Sequence, residues 1–334
     1  MSELVLAQRQ RSHSGRLRFL DQMTYGTALG GAVTMVVLLL LILGVIYHGA
    51  APAIRQFGWT FLRTTAWGNK KGEYGVLPAI YGTLITSMIA LLLALPVSLG
   101  SAIFLTKLAP RIRLPILGAG GIRWIHPRFL VTIISFLIEL LAAIPSIVYG
   151  LWGIAVLIPF MQNIAQPVLA RTLGATPLIG GLFSNAAATG YNLLTAGVIL
   201  AIMITPIMTA IIRDVIAVAP PELEQGALGL GATWWQATRM VLGFSKMGIF
   251  GAVILGFARA IGETMAVTMV IGDAKEMESL LGPGRTITSL LASKFFDAPA
   301  PAIYAAFVLL VITTGINTVA RLMIMRVAAR AGRK

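Results

Sequence analysis

The chain has 334 residues, 57% of them hydrophobic and only 11% charged; a soluble domain carries about 25% charged residues, so this is an integral membrane protein. Cysteine is absent, which excludes disulfides, Cys-ligated zinc, iron–sulfur clusters and thiol catalysis. The net charge of +14 is spread over short loops, with no aromatic-rich basic domain to grip a nucleic acid, so it reads as topology and attraction to anionic membrane lipid.

In chain order, six apolar segments are expected to span the bilayer, near 26–48, 79–106, 129–160, 191–212, 247–272 and 300–325. The fold class is all-α, with six transmembrane helices. A span needs about 20 residues, so the second and third are long enough to tilt, bend or continue past the bilayer. Pro96, Pro145, Pro159 and Pro206 fall inside or near the ends of these spans, where neighbouring helices can satisfy the carbonyls that proline frees. Residues 1–25 are basic, and the apolar run after them is too long for a signal-peptide core. The first span, 26–48, therefore reads as an uncleaved peripheral anchor. The stretches 49–78 and 161–190 are expected to be external loops or interfacial helices. The region 273–299, with Asp273, Glu276 and Glu278, is expected to hold a short helix capping an external vestibule. Residues 79–326 form the core, and 327–334 a basic tail. The histidines, His13, His48 and His126, lie far apart and do not form a metal cluster.

Charge sets the orientation. With both termini cytoplasmic, 17 Lys and Arg residues fall inside, Arg321 at the inner end of the last span among them, eight fall outside, and Arg259 alone remains in the membrane. The positive-inside rule favours this arrangement.

Three constellations carry chemistry. Arg259 and Glu263 are four residues apart in an apolar stretch, which on a helix places them on one face. Intramembrane charges are costly and usually functional, so the pair reads as a charge gate or anion relay, against an ion pair that merely locks two helices. Ala252, Gly256 and Ala260, and Ala258, Gly262 and Ala266, form small-residue rows that allow close helix approach. Thr264 and Thr268 offer hydroxyls, although bonding back to their own helix is the commoner fate. The second constellation is Glu139, which must face a partner, a cavity or the interface; a pathway role and a structural ion pair both remain open. Beside it, Pro145-Ser146 breaks the helix and frees backbone groups that can face a pore. The third is the inside loop 213–246. Pro221 starts a helix with Glu222 and Glu224 in its first turn, favourable to the dipole. Gly229 and Gly231 interrupt it, and Thr233 can cap a second short helix, 234–240. Two short helices parallel to the membrane make either a docking element or an ordinary amphipathic loop, and the residues alone leave both open.

Segment 225–244 resembles the cytoplasmic EAA loop of ABC-importer permeases, which docks in a cleft of the ATPase. Gln225-Gly226-Ala227, then Gly231, follow its spacing, with Gln225 where the family has Glu and Gly243-Phe244 where it has Leu-Pro. GATWWQATRMVL from Gly231, GFARAIGETMAVTMVIG from Gly256, IPSIVYGLWG from Ile144 and the helices from Tyr81 and Leu194 together resemble the PstC family, permeases of the high-affinity phosphate importer. The resemblance runs from about Phe57 to Arg326. It implies a type I ABC importer (MetI-like) permease core in the bacterial cytoplasmic membrane, a second permease (PstA), two copies of an ATPase (PstB) and a phosphate-binding protein (PstS) outside. It places Arg259 and Glu263 in the family's RAxGET motif, linked with phosphate transport. Thr264, Glu139 and Ser146 join them as candidate pathway residues. The coupling candidates are Glu222, Glu224, Gln225, Gly226, Ala227, Gly231, Trp234 and Trp235.

The chain has no GxxxxGK[ST] pattern, so ATP would be hydrolysed by a partner, and no cofactor or metal is expected on this chain. An ABC permease for another oxyanion, molybdate or sulfate, fits the loop alone, but the RAxGET segment favours phosphate. An ion-gradient transporter relaying protons through Arg259, Glu263 and Glu139 is a third reading. A membrane-embedded enzyme lacks a His constellation, a metal motif or a Ser/Lys pair within a span.

Overall fold

The computed structural model describes residues 2–68, 72–111, 114–118, 121–125, 127–177, 180–183, 189–274 and 279–331. Lys70, Lys71, Arg113, His126, Lys275, Glu276, Glu278, Arg333 and Lys334, used above for topology, loops or metal chemistry, lie outside them. Among the described residues, six helices are long and apolar enough to cross a membrane. The helical pattern is broken, among the described residues, by an antiparallel hairpin, β1 (Leu114–Gly118) with β2 (Gly121–Ile125), and by an isolated bridge between Trp67 and Tyr74.

The first helix, α1 (Ser2–Phe57), is much longer than 26–48. No proline precedes Pro52, so nothing stops the helix before the basic segment. Its most apolar window buries none of its residues. It leans on the last helix, α10 (Pro299–Ala331), where the Tyr47 and Phe307 rings lie 5.9 Å apart.

The core forms around α2 (Leu77–Ile103) and α5 (Leu193–Ala217). Two-thirds of the most apolar α5 window is buried, with Ile199, Leu200, Ile204 and Met208 fully enclosed. The buried face of α2 is made of small residues at helical spacing: Gly82, Thr86, Ala90, Ala94 and Ser98. Lipid tails are as apolar as leucine, so helices in a bilayer associate through close packing, which small residues permit. A Cβ on Gly197 would lie 2.5 Å from Ile89 Cγ2, so α2 and α5 touch there at van der Waals limits.

Two expected spans have different limits. The third is not 129–160. Pro145 has no N–H and restricts the residue before it, so α3 (Pro127–Ala143) stops and α4 (Ser146–Thr172) begins after it. The helix long enough to cross is α4. Residues 161–172, expected in an external loop or interfacial helix, belong to it. It contains two π-helical turns, Gly153–Leu157 and Met161–Ala165.

The fifth span is not 247–272, nor is 234–240 a separate short helix. A single helix, α7 (Trp234–Gly262), runs from the inside loop into the apolar region. Arg239 and Lys246, which made the start look like a loop, are exposed on its surface. Thr233 caps it as expected, and its N–H donates to Gln236 Oε1 at 2.8 Å while Gln236 N–H donates to Thr233 Oγ1 at 3.3 Å. The Ala252, Gly256, Ala260 row packs as expected: all three are buried, and a Cβ on Gly256 would meet Met208 Sδ at 2.6 Å. The second row does not hold, because α7 ends at Gly262 and Ala266 belongs to α8 (Met265–Val270). The region 273–299 contains the expected short helix, α9 (Ile287–Lys294).

At Gly82 an added Cβ would sit 2.1 Å from the Arg285 carbonyl oxygen, which is backbone and cannot swing away. Gly100, on the same helix, has no such neighbour within 4 Å. Gly82→Ala is therefore expected to lower the thermal midpoint of the purified protein, at a cost on the order of 1–3 kcal/mol. Gly100→Ala is expected to leave it unchanged or raise it, and equal midpoints would contradict the packing described.

Candidate functional site

The helix that carries Arg259 ends one turn after it. Glu263 leaves helical geometry (φ −71°, ψ 129°), and α8 starts at Met265. The expected Arg259–Glu263 pair depends on a continuous helix, and among the described residues it does not form. Glu263 Oε1 instead accepts the Ala266 N–H at 3.3 Å, capping α8. The Glu263 carbonyl accepts the Thr288 hydroxyl of α9 at 2.7 Å. Thr264, half-buried, sits in the break, and the Thr268 hydroxyl bonds back to the Thr264 carbonyl at 2.7 Å, the fate expected of it.

Arg259 is exposed and makes no ion pair or hydrogen bond among the described residues. It lies within electrostatic reach of Tyr149. The Tyr149 hydroxyl donates to the Leu141 carbonyl at 2.8 Å, bridging the interruption at Pro145. Ser146, half-buried, opens α4 just beyond it. Gly150 lets α8 approach α4 closely: a Cβ there would lie 2.6 Å from Met269 Sδ and 3.2 Å from Ala266 Cα. Two helix interruptions, at Pro145 and at Glu263-Thr264, are thus brought together. Irregular backbone at membrane depth is tolerated only where it is buried in protein or lines a cavity.

Glu139 does not join this cluster. Its exposed carboxylate accepts Arg213 Nη2 at 3.2 Å, and Arg213 also holds Asp214 at 2.9 Å. The pair ties α3 to the inner end of α5. Arg213 went unnoticed as a partner; a cation directly after the expected span 191–212 was the signal available.

The inside loop forms a second surface. α6 (Pro221–Gly229) starts where Pro221 and the two acids predict. Gly231 has φ +84°, a conformation that favours glycine. Ala227 is buried, while Glu222, Gln225 and Gly226 face outward. Leu230 is 92% exposed and Trp235 55%, an apolar surface of the kind that marks a protein contact. Trp234 and Trp235 sit with ring centroids 6.2 Å apart. Glu224 forms an ion pair with Lys107 in the π-helical turn Phe104–Leu108 that continues α2, a partner 117 residues away that no local pattern reveals.

The family described as binding-protein-dependent transport system inner membrane component matches residues 116–330. A phosphate transport system permease protein PstC of Mesorhizobium japonicum is 39% identical over 325 residues, 95% of this chain and 94% of that protein. The PstC of Pasteurella multocida is 40% identical over 309 residues, 91% of each chain. The PstC of Haemophilus influenzae is 40% identical over 308 residues, 90% of this chain and 92% of that one. Inward-facing structures of the MetNI methionine ABC transporter share the fold, with TM-scores of 0.53 and 0.54, 16% identity, and coverage of 75% of this chain and 95% of theirs.

The Lys107–Glu224 pair is expected to hold α6 against α2. Reversing either charge alone should speed amide exchange in 221–229 roughly fivefold, the equivalent of about 1 kcal/mol for a hydrogen-bonded ion pair. Lys107→Glu combined with Glu224→Lys should restore most of the protection. Unchanged exchange in both single variants would show that the pair does not anchor the loop.

Proposed function

This chain belongs to the PstC family of phosphate transport permeases, among the binding-protein-dependent inner membrane components, and we propose that it forms half of the translocation pathway of an ATP-driven inorganic phosphate importer. Its partners in this reading are a second permease, PstA, two copies of the ATPase PstB, which use the ATP, and the phosphate-binding protein PstS on the outside. The chain is multi-pass in the bacterial cytoplasmic membrane with both termini in the cytoplasm. It is a transport subunit and performs no catalysis itself.

The observation that carries the pathway is the exposed Arg259, unpaired among the described residues, beside two juxtaposed helix interruptions. A guanidinium at membrane depth cannot rest against acyl chains without a large cost. It requires a facing surface, which the second permease supplies, and an anion, which phosphate supplies. Arginine matches phosphate oxygens with a planar fork of donors. Glu263 stays near enough in sequence to compete for the guanidinium when the backbone rearranges. Such competition keeps phosphate from binding too tightly to leave.

The drive comes from the inside loop. ATP closes the two ATPase subunits on α6 and the start of α7. Because α7 is continuous for 29 residues, about 40 Å at 1.5 Å per residue, a tilt imposed at Trp234 reaches Arg259 through one rigid rod. The external mouth opens, phosphate enters from its binding protein, and hydrolysis returns the site to the inside.

Arg259→Ala and Glu263→Gln, each in a complex whose assembly has been verified, are expected to lower phosphate uptake by roughly tenfold or more, the scale of one hydrogen bond to a charged group. Normal uptake by both variants in intact complexes would end the proposal.

A further inference from the structure

At the outer ends of α1 and α10 lies an apolar groove of about 380 Å3. Ile54, Gly58 and Leu62 form one wall, and Phe307, Val311 and Ile312 the other. The walls are clipped together at the top, where the Tyr304 hydroxyl donates to the Gly58 carbonyl at 3.0 Å. Trp59 stands at the rim, 81% exposed. From Tyr304 to Ile312 the groove descends eight residues along α10, or about 12 Å. That is close to the depth of one leaflet, half of a hydrocarbon core of about 30 Å.

We propose that this groove is a binding site for an anionic glycerophospholipid of the external leaflet, one acyl chain lying in the groove and the phosphate meeting arginine at the rim. Arg55 lies one turn before Trp59, and Arg63 follows the helical turn that carries Trp59. Both are exposed, and neither has an ion-pair partner among the described residues. Each arginine follows a groove-lining residue directly in the chain, Arg55 after Ile54 and Arg63 after Leu62, so an apolar slot with cations beside it matches a hydrocarbon tail with a negatively charged head. Tryptophan and tyrosine at the same level suit the membrane–water interface, where one end of the ring is wet and the other apolar. A chain held in the groove adds a further tie between the outer end of α1 and the core, beyond the packing of Ala50 and Ala53 against Tyr304, Ala305 and Val308. The site depends on the proposed orientation only for which leaflet it samples, and it does not depend on phosphate being the cargo.

The test uses the assembled complex in nanodiscs of phosphatidylcholine doped with lipid brominated on its acyl chain. The Trp59 component of the fluorescence is isolated by comparison with Trp59→Phe. Brominated phosphatidylglycerol is expected to quench Trp59 at a concentration roughly fivefold or more below that of brominated phosphatidylcholine, the scale of one arginine at an anionic surface. Arg55→Gln with Arg63→Gln should abolish that preference, and Val311→Phe, which fills the groove, should reduce quenching by both lipids. Equal quenching by the two lipids in the wild-type complex, or a preference that survives loss of both arginines, would overturn the proposal. So would a photocrosslinker at Val311 that captures another subunit in place of lipid. Phosphate uptake is measured on the same samples, so loss of the lipid site and loss of transport are read separately.

Discussion

Inside a bilayer the backbone has no water to bond with, and this constraint organises the whole chain. Continuous helices satisfy it trivially. The two places where helices stop within the apolar region do so only because the chain supplies substitutes. At Pro145 the Tyr149 hydroxyl reaches back to the Leu141 carbonyl. At Glu263 a carboxylate caps the next helix and Thr288 donates to the exposed carbonyl. The helices that follow the two interruptions pack closely, with Gly150 permitting the approach. The same demand leaves irregular polar backbone and one guanidinium together at membrane depth, where an anion could use them.

The second organising feature is the uninterrupted α7. A transporter needs a mechanical link between a cytoplasmic event and a site in the membrane. Here no hinge separates Trp234 from Arg259, and Ala252, Gly256 and Ala260 set the helix closely against α5. The rod ends at the break, and motion delivered there meets the least regular backbone in the span. Among the described residues two ion pairs fasten this end of the bundle: Lys107–Glu224 joins α6 to the turn that follows α2, and Arg213–Glu139 joins α3 to α5. Both are polar ties at helix ends, where side chains can reach the interface.

Much of this was legible in the sequence, and the failures have a common cause. Pro221 followed by acids, Thr233 three residues before Gln236, Pro145 within an apolar run and the Ala252-Gly256-Ala260 row are local signals, and each produced the element it implies. The break at Glu263 is not local. Glutamate is a good helix former, and Gly262, where the helix ends, also fitted a small-residue packing row, so its stop signal was ambiguous. The stop is stabilised by Thr288, 25 residues further on. Likewise Arg239 and Lys246 made the start of α7 look like loop, because a helix extending out of the bilayer exposes charges that a hydropathy reading takes for its boundary. The partners of Glu224 and Glu139 lie 117 and 74 residues away and could not have been found by spacing.

The account depends most on the break at Glu263-Thr264 facing an aqueous pathway shared with a second polypeptide. The natural absence of cysteine makes this directly measurable. Thr264→Cys in the assembled complex, treated with a membrane-impermeant thiol reagent, should be labelled from one side of the membrane, with ATP turnover shifting the reactive side and phosphate slowing the reaction. Labelling only by a lipid-soluble reagent, at a rate indifferent to ATP and phosphate, would place the break against acyl chains and contradict the account.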